Sequence, residues 1–114
     1  MTGPAGTLSV PAFFEGDPGA DELAGTYVRK PLLSRQGTNI EIIRDGRTQL
    51  RSDGPYGRED HIVQAFHPLP EFAGNYPLVG CWLVASQAVG MCIREDRTLV
   101  TGKDARFIPH VILD

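Results

Sequence analysis

Apolar positions along this chain come in short runs punctuated by glycine and proline, and few stretches carry a helical period. Leu8 to Phe14 is one such run, interrupted at Pro11. Tyr27 to Lys30 reads as a strand that ends at Pro31, and Ile40 to Ile43 as a second. The Asp45–Gly46 pair that follows is a dipeptide favoured by two-residue hairpins, which makes Thr48 to Arg51 the returning partner. His61 to Phe66 is a further strand, stopped by Pro68 and Pro70. Asp17 to Gly25 suits a single helical turn, with Asp17 as N-cap before Pro18 and Gly25 as the stop.

The longest apolar stretches are Leu78 to Ala85 and Ala88 to Ile93, separated by Ser86–Gln87. Nearly continuous apolar runs predict two central strands covered on both faces and joined by a tight turn. On this reading Trp82 is a core residue, and Trp82→Ala costs about 3–5 kcal/mol. Phe107 to Leu113 closes the chain as a short strand or coil. The expected fold is a β-rich α+β piece built on an antiparallel sheet, with residues 1–7 as a loose N-terminus.

Composition narrows the functional classes. The 114 residues fit one domain or part of one. Hydrophobic residues make up 41% and charged residues 22%, an ordinary globular balance. The formal net charge of -3, with no basic stripe, argues against a nucleic-acid partner. Met1 to Val10 lacks the basic start and apolar run of a signal peptide, and Leu78 to Ala85 is too short to cross a membrane. Cys81 and Cys92 lie inside apolar runs without CxxC spacing, the pattern of buried free thiols in a reducing, cytoplasmic compartment. His61, His67 and His110 are too scattered for a metal triad, so no metal site is predicted.

Three segments carry candidate chemistry. In Lys30-Pro-Leu-Leu-Ser-Arg35-Gln-Gly37-Thr38-Asn39 a strand delivers a lysine and a polar loop then offers an arginine and a glycine. Such a set suits a polyphosphate: a point charge, a bidentate fork, and backbone N–H groups free to approach oxygens. The spacing is not the Walker pattern, and from chemistry alone a turn with two solvated cations is the plainer reading. Arg94 directly follows an apolar strand, where strand ends commonly fix catalytic side chains; a simple pairing with Glu95 or Asp96 is the plain alternative. His61 to Pro70 could present backbone groups and an aromatic face to a purine, or could be a core strand followed by a proline-rich turn.

In order, these segments resemble the glutathionylspermidine synthase-like ATP-grasp ligases. Tyr27-Val-Arg-Lys-Pro-Leu-Leu-Ser-Arg-Gln-Gly-Thr-Asn-Ile40 resembles the family's lysine–proline and arginine–glycine–asparagine loop. Phe66-His-Pro-Leu-Pro70 resembles the segment after its nucleotide-hinge strand. Tyr76-Pro-Leu-Val-Gly-Cys-Trp82 and Gly90-Met-Cys-Ile-Arg-Glu95 resemble its central hairpin and catalytic arginine. Pro11 to Glu15 and Arg106 to His110 also fit, so the likeness runs from about Leu8 to Leu113.

The resemblance implies a partial ATP-grasp fold, a single truncated domain over residues 1–114, and an ATP-dependent carboxylate–amine ligase. ATP would phosphorylate a glutathione-like carboxylate, and a polyamine-like amine would attack the acyl phosphate. Lys30 would hold ATP phosphates, Arg35 with Gly37, Thr38 and Asn39 a mobile phosphate-side loop, and Gln64, Ala65 and Phe66 the adenine hinge. Arg94, with Arg35, would stabilise charge on the transferring phosphoryl group. The family's Mg2+ carboxylates and a further ATP lysine lie upstream of the matched region, so the chain is expected not to turn over alone. Gln36 stands where relatives often have Glu, and Lys103 and Ala105 where they often have Asn and Ser. The competing expectation is a non-catalytic remnant or interaction module that keeps only the sheet and associates with itself or a partner through exposed apolar surface.

Overall fold

The computed structural model describes residues 10–56 and 60–113. The chain divides into two compact units, Met1–His67 and Pro68–Asp114. The calls on residues 1–7, on Leu8 and Ser9, and on Gly57 and Arg58 of the predicted polar loop lie outside the described residues.

The first unit is a five-stranded antiparallel sheet. Its strands are β1 (Ala12–Phe14), β2 (Tyr27–Pro31), β3 (Glu41–Arg44), β4 (Arg47–Arg51) and β5 (His61–Ala65), in the order β1-β5-β2-β3-β4. The expected hairpin forms between β3 and β4. Asp45 and Gly46 take φ of 53° and 77°, the left-handed pair that matches the twist of the flanking strands. A register shift between Ile42 and Ile43 marks a bulge beside it. The helical turn is a 3-10 helix, Pro18–Leu23, and it is the only helix among the described residues. The Asp17 side chain accepts from the Gly19 N–H at 2.8 Å, and Ala24 (φ 52°) then Gly25 (φ 81°) end the turn.

Register sorts the side chains of this sheet onto two faces. One face carries Phe13, Tyr27, Arg29, Glu41, Ile43, Arg51, His61, Val63 and Ala65. The 3-10 helix packs there: a Cβ on Gly19 would stand 2.7 Å from the Phe13 ring. The other face carries Val28, Lys30, Ile42, Ile62 and Gln64. Among the described residues Leu23, Pro31, Ile42, Ile43 and Val63 are buried, joined by a buried His61.

The second unit is a three-stranded antiparallel sheet of β6 (Tyr76–Val84), β7 (Gln87–Asp96) and β8 (Arg106–Ile108). The turn between β6 and β7 sits one residue earlier than predicted. Val84 pairs with Gln87, so the loop is Ala85–Ser86, at φ of 50° and 66°. The predicted cover on both faces is corrected by the structure. Leu78, Trp82 and Phe107 share one face, Val79 and Met91 the other, and all five are exposed. Trp82 is 66% exposed, so the expected core role does not hold. Cys81 is exposed and Cys92 half-buried, both free, which corrects the expectation of buried thiols. The strands satisfy each other's backbone groups, but the unit contains no buried residue among those described.

The outcome is strand-rich and antiparallel as expected, in two sheets rather than one. No helix among the described residues is long and apolar enough to cross a membrane.

Candidate functional site

Lys30 and Gln64 sit diagonally on adjacent strands. Lys30 pairs with Ile62 and Val28 with Gln64, so the two side chains share a face. Lys30 is half-buried, and no ion pair reaches it among the described residues. Burial holds its ammonium below the ordinary lysine pKa. Phe66 follows β5 directly, and the Arg44 guanidinium lies over its ring, 5.2 Å from the centroid. Ala65 points to the opposite face and its N–H donates to the Pro11 carbonyl at 2.9 Å. β5 is an interior strand, flanked by β1 and β2, so Gln64 and Ala65 offer little free backbone to a ligand.

The loop after β2 makes a tight turn. The Thr38 N–H donates to the Arg35 carbonyl at 3.1 Å across Gln36 (φ 56°) and Gly37 (φ 69°). The Thr38 hydroxyl donates to the same carbonyl at 2.7 Å, and the Ser34 hydroxyl to the Thr38 carbonyl at 2.7 Å. Arg35 is exposed at the start of this turn. Asn39, at φ 57°, turns its amide toward residues 52–56: Oδ1 accepts from the Tyr56 N–H at 2.7 Å and Nδ2 donates to the Gly54 carbonyl at 3.0 Å. The Ser52 hydroxyl bonds the Gly37 carbonyl and accepts from the Ile40 N–H at 2.9 Å. Among the described residues both polar groups of Asn39 are therefore used within the protein.

Arg94 belongs to the second unit. It lies in one row with Leu78 and Phe107. Its Nη2 donates to the Gly102 carbonyl at 2.8 Å, its guanidinium stands 5.5 Å from the Phe107 centroid, and its buried Nε has no partner among the described residues. It pairs with neither Glu95 nor Asp96. Glu95 takes Arg106 at 3.1 Å, while Asp96 accepts from the Arg97 and Gly102 N–H groups. A buried guanidinium nitrogen without a partner is costly, and an anion would relieve it.

Sequence reasoning did not find a polar cavity of about 260 Å³ on the Arg29 face, lined by Arg29, Asn39, Glu41, Arg51, Asp53 and His61 among others. Arg29, Glu41 and Arg51 are cross-strand neighbours in one row. Arg29 also grips Glu15, with Nη2 to Oε1 at 3.0 Å, and Arg51 Nε reaches Glu41 at 3.2 Å. Hydrogen bonding to Arg29 lowers the Glu15 pKa, and the same bond raises that of Arg29. Each of β2, β3 and β4 contributes one charged residue, and these become a row only once register is known.

No group of three or more His, Cys, Asp or Glu among the described residues could hold a metal ion.

A family model described as glutathionylspermidine synthase preATP-grasp matches residues 4–113. A Haemophilus influenzae protein named as an acid–amine ligase is 40% identical over 90 residues, covering 74% of this chain and 23% of that protein. Crithidia fasciculata trypanothione synthetase is 36% identical over 89 residues, 76% of this chain and 14% of its own length. The bifunctional glutathionylspermidine synthetase/amidase of Escherichia coli is 30% identical over 95 residues, 82% of this chain and 15% of its own length. The chain thus spans less than a quarter of each of these relatives.

Proposed function

The chain belongs to the glutathionylspermidine synthase preATP-grasp family, and on that premise we propose that it is a nucleotide-holding portion of an ATP-dependent carboxylate–amine ligase. The observation that carries this reading is the Lys30 face. A half-buried ammonium without an ion pair among the described residues shares that face with Gln64; it lies opposite Ile62 near the start of β5, and Phe66 follows the far end of the same strand. Burying an unpaired ammonium is unfavourable, and a phosphate is the anion that would compensate it. In this reading Lys30 and Arg35 hold phosphate oxygens, and the Gln64 side chain and the Phe66 ring contact the adenine; in the second unit, taken by itself, the Arg94 guanidinium is open to an anionic partner.

The relatives' names point to a glutathione-like acid and a polyamine-like amine as substrate kinds. ATP would supply the phosphoryl group that activates the carboxylate for attack by the amine. The family takes its description from a preATP-grasp region. Assignment of both units to one ATP-grasp domain, a cytoplasmic setting and dependence on magnesium are parts of the same proposal.

Calorimetric titration of the chain with ATP, with and without magnesium, tests it. The native chain is expected to bind, and Lys30→Ala to lose roughly tenfold or more in affinity, the scale of one charged phosphate contact. Equal affinity in the variant removes Lys30 from the site. A second reading, an interaction module, is supported by the exposed apolar faces of β6 and β7. Concentration-dependent association by size-exclusion chromatography, without any nucleotide response, favours it.

A further inference from the structure

We propose that Asn39, Ser52 and Gly54 form a latch that clamps the Arg35 turn onto the segment after β4, so that Asn39 positions Arg35 rather than touching a ligand. Four contacts join the two segments, and they come from both sides. Asn39 contributes Oδ1 to the Tyr56 N–H and Nδ2 to the Gly54 carbonyl. Ser52 contributes its hydroxyl to the Gly37 carbonyl and to the Ile40 N–H. Backbone pairing continues the seam, since the Ser52 N–H donates to the Ile40 carbonyl at 2.9 Å.

Close approach at Gly54 is built into the clamp. A Cβ there would stand 2.7 Å from Asn39 Oδ1 and 2.7 Å from Thr38 Cβ, distances that no real Cβ tolerates without displacement. A side chain at position 54 must push the turn away. Asn39 itself sits at a left-handed φ of 57°, where asparagine is among the few non-glycine residues at ease. The residue type therefore answers two local demands, backbone conformation and a two-sided amide.

The consequence concerns Arg35. Among the described residues it is an exposed side chain on a turn whose own hydrogen bonds are local, so the latch is what ties its position to the sheet. The clamp stands on geometry alone; its role in phosphate binding rests on the reading given under Proposed function.

Trypsin reads the latch without any ligand. Asn39→Gly keeps the left-handed backbone and deletes only the amide, and Gly54→Ala inserts the colliding Cβ. In both variants cleavage after Arg35 is expected to rise roughly tenfold or more, the effect of losing about two net hydrogen bonds from a local opening equilibrium. Cleavage after Arg29, within β2 and paired on both sides by β3 and β5, reports opening of the sheet and is expected to change far less. An unchanged ratio of the two rates in both variants overturns the latch.

ATP titration then reads positioning. Asn39→Gly is expected to weaken ATP binding, and Arg35→Ala to add little in the Asn39→Gly background, because both changes remove the same contact. Additive losses overturn the positioning role while leaving the clamp. If the native chain binds no ATP, positioning falls together with the nucleotide reading, whereas the cleavage ratio still decides the latch.

Discussion

The two units spend similar sequence on opposite outcomes. In the first, strands of three to five residues with mixed polarity enclose a small core in which Ile42 is only 2% exposed. In the second, strands of nine and ten residues, the most apolar of the chain, bury nothing fully. Backbone pairing alone accounts for the long β6–β7 ladder. An isolated antiparallel ribbon is marginal in water unless one face is packed, so pairing and burial are separable requirements. The first unit meets both, and the second meets the first of them. Its two bare faces are where further protein surface would add most to stability.

The comparison can be broken at Ile42. Ile42→Ala is expected to cost about 2–5 kcal/mol in a denaturant titration, because the site is enclosed and the deleted methyl groups leave a cavity. A loss below about 1 kcal/mol would show that the first unit has no more of a core than the second.

Trp82→Ala sharpens it from the other side. The expected loss is under about 1 kcal/mol, as for a residue with little buried area. Trp82 is the one tryptophan of the sequence, so its emission should resemble that of tryptophan in water and be readily quenched by iodide. A shielded, blue-shifted emission would show that something covers β6.

The smallest effect expected is a slope. Burial lowers the Lys30 pKa, so the folded chain releases this proton before the unfolded chain does. Between those two pKa values the unfolded state binds more protons, and stability rises as pH rises toward the ordinary lysine value. Lys30→Met should remove that alkaline rise and leave the acid limb unchanged. The difference between native and variant unfolding midpoints, followed from neutral to about pH 10, measures it.

Local features were the legible ones. Asp17–Pro18 and Asp45–Gly46 are visible in sequence because capping and left-handed turns are set by the residues themselves. The order of the strands, with β5 inserted between β1 and β2, depends on non-local pairing that no short window records. For the same reason Lys30, Gln64 and Phe66 could be named from the sequence as candidates, while the Arg29–Glu41–Arg51 row and the Asn39 latch could not. The cover predicted for β6 and β7 failed for a different reason. A continuous apolar run states what a strand is suited to bury against, and the described residues of this unit do not supply it.

A methyl-resolved NMR titration with ATP tests the central claim most directly. The Lys30 face carries Val28 and Ile62, and the opposite face carries Ile43 and Val63, in the same sheet and close in sequence. Shifts concentrated on Val28 and Ile62, and abolished by Lys30→Ala, are the predicted result. Shifts confined to Ile43 and Val63, or none at millimolar ATP, would contradict it.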